Sequence, residues 1–200
     1  MRSYTVTPLR TEVPAWEEIP ALQVDNVLWL PDSGVRMTQQ LCYDAKYLYV
    51  RQQAWEQRIR AQRIGYLQQV CEDSCMEFFF APLGEDRYFN LEINPNGCVR
   101  LGFGTAEGPR TQLVPRDMEQ YFAVCPQRTE DGWSLTYRIP LEFLQLFFPD
   151  CRFAPGRTLR ANCYKCGDLT DHPHYLSWNP VQSETPSFHR PQDFGLFLFG

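Results

Sequence analysis

Two stretches of alternating residues, at positions 76–80 and 88–94, constrain the fold more than any other feature of this chain. One set of alternate positions is apolar and consists of Met76, Phe78, Phe80, Phe89, Leu91 and Ile93. The positions between them are Glu77, Phe79, Tyr88, Asn90, Glu92 and Asn94. A period of two residues is typical of a β-strand, whose side chains point alternately to opposite faces. The pattern therefore predicts two strands joined by the turn-rich residues 81–87.

We expect these strands to pair as a hairpin with Glu77 opposite Asn90 and Phe79 opposite Tyr88. Glu92 then shares the face of Glu77 and Asn90. One face of the hairpin is apolar, while the other carries carboxylates, an amide and aromatic rings. A sugar offers both hydroxyl groups and apolar C–H faces, so the polar face is a candidate carbohydrate-binding surface.

The rest of the chain predicts a single all-β domain over residues 1–200, an antiparallel β-sandwich with one or two short helices. Its 16 Pro and 12 Gly indicate many turns between short elements, and 44% apolar residues suffice for a core. Further strands are predicted at residues 22–30, 38–50 (two strands), 98–103, 121–125, 133–139, 159–166, 175–178 and 195–199. Apolar spacing predicts a short helix within residues 140–148. The polar segment 51–70 is either a short helix or a long loop.

Charge and apolar content exclude several classes of partner. A net charge of −5 and a pI near 5.2 argue against nucleic acid or an anionic membrane as a partner. The first ten residues contain no apolar signal core, and no run approaches the ~18 apolar residues of a membrane span. We therefore expect a cytoplasmic protein whose eight cysteines are reduced thiols.

Four motifs in a fixed order resemble the family 9 carbohydrate-binding modules and their relatives. They are residues 72–79, 88–97, 139–141 and 188–195, and the resemblance extends from about residue 16 to 199. It implies a sandwich of the DOMON-like superfamily, of jelly-roll type, with a ligand cleft on one sheet face. It also implies non-catalytic sugar recognition in carbohydrate catabolism, with a glycoside hydrolase as a possible partner.

The resemblance also suggests which residues bind the sugar. By position, Glu77 is the acidic residue, Phe188 replaces a stacking Trp, and Asn90 and Asn162 are the polar strand positions. The second stacking Trp of such modules has no match here, so Trp55, Tyr66 or Trp178 would have to substitute for it from a loop. The candidate ligand-binding residues are Glu77, Tyr88, Asn90, Glu92, Asn162, Trp178, Phe188 and Arg190. In the alternative interpretation, Glu77 and Arg190 form a structural ion pair and Phe188 belongs to the core.

Candidate metal ligands occur in the cysteine pairs and in the segment 168–174, which contains two Asp and two His. A zinc site built from Cys163 and Cys166 with Cys71 and Cys75 is disfavoured, because this spacing along a strand points side chains apart. Calcium in the oxygen-rich segment 168–174 is an alternative. We otherwise expect no metal and no cofactor.

Two further functions stay open. Glu77 and Glu92 are the one attractive carboxylate pair for glycoside hydrolysis, which would make the chain a hydrolase or an accessory module of one. A haem-binding DOMON-type domain would need axial ligands, for which Met76 and His189 are the candidates.

Overall fold

The computed structural model of the protein describes residues 1–200 and consists almost entirely of β-strands. The strands are β1 Ser3–Pro8, β2 Leu22–Val24, β3 Asn26–Val27, β4 Arg36–Tyr43, β5 Tyr47–Trp55, β6 Cys75–Ala81, β7 Tyr88–Ile93, β8 Val99–Gly104, β9 Thr111–Leu113, β10 Cys125–Thr129, β11 Gly132–Pro140, β12 Thr158–Cys166, β13 Tyr175–Ser177 and β14 Gly195–Phe199. The two helices are α1 Met118–Phe122 and α2 Leu141–Gln145. No helix has the length and apolar character needed to cross a membrane.

The strands form one curled sheet in the order β10-β11-β5-β4-β1-β14-β12-β6-β7-β8-β9. β1 is the bridge between its two halves, because residues 3–6 pair with β14 and residues 7–8 pair with β4. Both pairings of β1 are parallel, whereas the other pairings are antiparallel. The prediction of an antiparallel sheet is therefore wrong at β1. Alternation along a strand encodes its faces but not the direction of its neighbours.

The core lies between the two halves of the sheet. It takes the apolar side chains of the hairpin, such as Phe78 and Phe89, together with Leu48 and Leu135 from the opposite half. Phe78 stacks on Phe80 with 5.0 Å between ring centroids. α2 lies within the predicted helical segment and covers one end of this core with apolar side chains.

Three local predictions require correction. Residues 121–125 are not a strand, since α1 ends at Phe122 and the strand β10 begins at Cys125. In the segment 51–70, predicted as a short helix or a long loop, residues 51–55 instead continue β5, and most of the remainder is a loop, which confirms the second alternative. The hairpin register also differs by two residues, so that Glu77 lies opposite Glu92 and not opposite Asn90. A shift of two residues keeps every side chain on its predicted face.

Candidate functional site

A pocket of about 220 Å³ lies on the outer face of β6, β7 and β12, which we call the pocket face. It is lined by Trp29, Gln69, Cys71, Glu77, Phe79, Glu92, Arg100, Cys166, Asp168, Tyr175, Pro186, Ser187, Phe188 and His189. The lining of this small cavity therefore combines aromatic rings with ionisable side chains. Five of the predicted site residues have their side chains on this face, at Glu77, Tyr88, Asn90, Glu92 and Phe188.

The segment 188–194 crosses the pocket face. The Phe188 ring stacks on Tyr164 at 4.1 Å with an interplanar angle of 10°. The next residue, His189, packs on Phe79, and its Nδ1 lies 2.8 Å from the hydroxyl oxygen of Tyr88. The segment is thus fixed by ring contacts to two neighbouring strands, and it forms one wall of the pocket.

A second aromatic wall is provided by Trp29, which was not among the predicted site residues. Its ring centroid lies 5.3 Å from that of Tyr175 and 5.5 Å from that of Phe188. The indole N–H donates a hydrogen bond to the carbonyl oxygen of Ser183 at 2.8 Å. Trp29 has a left-handed backbone with φ 57°, and the strand predicted at residues 22–30 does not reach it, since β2 ends at Val24 and β3 at Val27. Its position just before a Pro-containing turn was the one available signal in the sequence.

Two carboxyl groups lie side by side at the base of the pocket. Glu77 and Glu92 are directly opposite each other on β6 and β7, and they are only 2% and 6% exposed. Burial, followed by the charge of Glu92, raises the pKa of Glu77 well above its usual value. Burial also raises the pKa of Glu92 to about 6, against a hydrogen bond from Asn90 that lowers it. Arg100 approaches Glu92 at 3.9 Å.

Asn90 and Tyr88 do not line the pocket but hold the carboxyl pair at its base in place. The Asn90 amide donates to Glu92 Oε1 at 2.7 Å, and its carbonyl oxygen accepts a hydrogen bond from Arg110. The Arg110 guanidinium also lies over the Tyr88 ring, 4.1 Å from its centroid. A Cβ at Gly102 would lie 2.3 Å from Asn90 Oδ1, so glycine leaves the space that the amide needs. These contacts orient Glu92 toward the cavity.

Asn162 and Trp178 are not brought to the pocket. The Asn162 carbonyl oxygen accepts from the backbone N–H groups of Cys163 and Asn179, and its amide donates to Asn179 O. Trp178 packs in the core with its ring centroid 4.8 Å from that of Phe197. Both side chains therefore stabilise the fold. Sequence position alone could not reveal that the segment after β13 covers them.

Arg190 also lies outside the pocket lining, because its guanidinium pairs with Asp193 at 2.7 Å. This contact contradicts the expected interaction of Arg190 with Glu77, whether as part of a binding site or as a structural ion pair. The cation at the pocket is instead Arg100. The alternation of Val99, Leu101 and Phe103 toward the core would have placed Arg100 on the pocket face.

The aspartates and histidines predicted as metal ligands are dispersed. In the segment 168–174, Asp168 lines the pocket, Asp171 pairs with Arg58 at the surface, and His174 is buried beside Lys165. The side chains of this segment therefore point to separate regions of the molecule.

Met76 is part of the core between the sheet halves, whereas His189 lies on the pocket face. Side chains on opposite faces of a sheet cannot serve as the two axial ligands of one haem.

A larger cavity of about 400 Å³ lies near Trp55, Arg58 and His172. Only two of its ten lining residues are hydrophobic, so it offers little ring surface for stacking. The smaller pocket combines rings with buried carboxyl groups and is the better candidate for specific recognition.

The pKa of Glu92 predicts a dependence of stability on pH. Its value in the folded protein is raised to about 6 from 4.5, so the folded state binds this proton more tightly than the unfolded state. The resulting stabilisation is complete below pH ~4.5 and is lost as the pH rises through ~6, a difference of about 2 kcal/mol. Urea unfolding at pH 4.5 and 7.5 should show a loss of stability in the native chain that is smaller by about 2 kcal/mol in Glu92→Gln, where Glu77, whose pKa is also raised, still contributes. Glu107→Gln, in an exposed loop, should retain the loss, and an identical pH dependence in Glu92→Gln would contradict the assignment.

The curled sheet and its small pocket, with aromatic walls and buried carboxyl groups, define a β-sheet protein with a site for a small polar ligand. Comparison with known families is more specific: the model of carbohydrate-binding family 9 matches residues 10–199, and the chain belongs to this family. No curated protein matches the chain.

Solved structures agree with this assignment. A candidate carbohydrate-binding protein from Bacteroides uniformis is 27% identical with a TM-score of 0.85, covering 100% of this chain and 99% of that one. A family 9 module from Caldicellulosiruptor kristjanssonii, solved with glucose, is 12% identical with a TM-score of 0.71, covering 100% and 96%. The same organism's module with cellotriose is 12% identical with a TM-score of 0.70, covering 99% and 93%. At 12% identity, the two Caldicellulosiruptor kristjanssonii structures show that their fold is shared with this chain.

Proposed function

We propose that this protein binds carbohydrate non-covalently in the pocket between Phe188, Trp29 and the carboxyl pair Glu77 and Glu92. The observation that carries the proposal is the buried carboxyl pair at the base of an aromatic-walled pocket, in a member of carbohydrate-binding family 9. The carboxyl groups and Arg100 are suited to sugar hydroxyls. The rings are suited to the apolar C–H faces.

The size of the pocket favours a short ligand. Its volume of about 220 Å³ is below the ~300–1,000 Å³ typical of sites for drug-sized molecules. One sugar ring, either free or at the end of a chain, is therefore the proposed ligand. Glucose and cellotriose are the first ligands to test, because family members have been solved with them. A role beside a glycoside hydrolase in carbohydrate catabolism belongs to the same proposal.

Glu77→Gln should weaken binding of glucose or cellotriose by about 10-fold or more, since a buried polar group left without its hydrogen-bond partner costs ~1–3 kcal/mol. The amide keeps the size of the side chain but replaces one acceptor oxygen with a donor group. Isothermal titration of both sugars measures the effect, and Glu107→Gln should bind as the native chain does. Equal affinities for a confirmed ligand in the native chain and Glu77→Gln would place the site elsewhere.

Hydrolysis by Glu77 and Glu92 is the second candidate function, because glycosidases use a carboxyl group with a raised pKa as their acid. The arrangement of the pair favours binding instead. A glycosidic bond must lie between the two catalytic carboxyl groups, whereas Glu77 and Glu92 are neighbours on adjacent strands of one surface. Incubation with cellotriose and chromatography of the products tests this: release of glucose that is lost in Glu77→Gln would establish hydrolysis.

A further inference from the structure

The base of the pocket also brings two cysteines together. Cys75 and Cys166 are directly opposite each other on β6 and β12, and both side chains belong to the pocket face. Both are nearly inaccessible, at 0% and 1% exposure. Cys166 Sγ lies 2.9 Å from Glu77 Oε1, and the two sulfur atoms and a carboxylate oxygen of Glu77 all lie within 4.8 Å of one another.

This arrangement matches the coordination geometry of zinc. Zn–S bonds of ~2.3 Å and Zn–O bonds of ~2.0–2.2 Å place neighbouring ligand atoms of a tetrahedron about 3.4–3.8 Å apart. The three atoms can reach these separations by shifts of roughly 1 Å. Two sulfur ligands favour zinc over calcium or magnesium, which prefer sets of six or more oxygen atoms.

The surrounding charges also favour a cation. Glu77 makes no salt bridge, and the guanidinium that pairs with the neighbouring Glu92, that of Arg100, is 3.9 Å from that carboxylate. Asp168 lines the same pocket and adds a further carboxyl group. Lys165, which precedes Cys166 on β12, is a buried cation, but it is paired with Glu56. A divalent ion would supply the positive charge that the protein does not place beside Glu77.

We propose that Cys75, Cys166 and Glu77 form a zinc-binding site at the base of the pocket. The ion reaches the cluster through the pocket, since Cys166 and Glu77 line it, and water occupies the fourth position on that side. Binding transfers the two thiol protons, and the carboxyl proton of Glu77 where that group is protonated, to the buffer and involves no oxidation or reduction. The test of this site does not depend on sugar binding, because zinc is the only ligand that is measured.

The test titrates the reduced, metal-free protein with Zn²⁺ in competition with a chromogenic chelator, and with Co²⁺ as a spectroscopic probe. We expect one ion per chain and a thiolate-to-cobalt charge-transfer band. Cys75→Ser and Cys166→Ser should each weaken zinc binding by at least about 10-fold, because even indirect ligand partners contribute ~10–100-fold. Cys125→Ser, which removes an exposed thiol, is the matched control and should leave the affinity unchanged.

Several results would overturn the proposal. They are a stoichiometry below one, a cobalt spectrum without the thiolate band, unchanged affinity in Cys166→Ser, or a disulfide between Cys75 and Cys166 in protein purified without reductant. If the serine variants do not fold, Glu77→Gln should still weaken zinc binding by about 10-fold or more while keeping the thiolate band. Titration of the same samples with glucose separates this outcome from failure of the proposed sugar binding.

Discussion

Glu56→Gln is expected to lower the free energy of unfolding by about 3–5 kcal/mol, because it leaves a buried charge without its partner. Lys165 is 0% exposed, and its Nζ lies 3.1 Å from Glu56 Oε2. Nζ also lies 2.7 Å from His174 Nε2, and the imidazole Nδ1 faces the carbonyl oxygen of His172 at 2.8 Å. Burial and then the charge of Lys165 lower the pKa of His174 to about 4, so the ring is a neutral acceptor. Glu56 is therefore the group that neutralises Lys165.

The expected loss of stability follows from the burial of the Lys165 ammonium group away from water. Burial alone would raise the pKa of Glu56, but the charge of Lys165 and a hydrogen bond from Ser74 at 2.7 Å lower it. Removing the carboxylate leaves an ammonium group in the interior without its counter-charge, which is far less favourable than removing both charges. The double variant Glu56→Gln with Lys165→Met should recover much of the loss in urea unfolding. Glu107→Gln is the control, and a change below ~0.5 kcal/mol in Glu56→Gln would show that the pair does not stabilise the fold.

Phe188→Ala should reduce the affinity for glucose or cellotriose by about 30-fold or more, which corresponds to a loss of ~2 kcal/mol. The ring forms a wall of the pocket and is held by its stack on Tyr164 and by contact with Trp29. A ring in a fixed orientation pays little entropy when a sugar stacks on it, so its removal costs most of the stacking energy. Isothermal titration and a thermal melt on the same sample separate affinity from stability.

Phe147→Ala is the matched control for this experiment. Phe147 is also a half-buried ring, but it packs on Phe89 and Phe103 at the end of the core. Its truncation should lower the melting temperature while the sugar affinity stays unchanged. If Phe188→Ala lowers only the melting temperature as well, Phe188 is a structural residue and the proposed stacking is refuted.

The sequence determined the strands of the hairpin and their faces, because alternation with a period of two depends only on the chain itself. Phe78 and Phe89 therefore lie in the core, and Glu77 and Glu92 on the pocket face, as predicted. The same reasoning holds for the separation of Cys163 from Cys166, which point to opposite faces. An error of two residues in the register left these assignments intact.

Only the tertiary structure decided which side chains meet. Pairing of β6 with β12 places Cys75 opposite Cys166, although 91 positions separate them in the chain (166 − 75). The pocket likewise needs Trp29 and Phe188, which come from distant loops. Neighbouring strands and covering loops are selected by the packing of the whole core, and no local pattern encodes that choice. The sequence thus determined what each strand presents on each face, and the fold determined which faces and residues became a site.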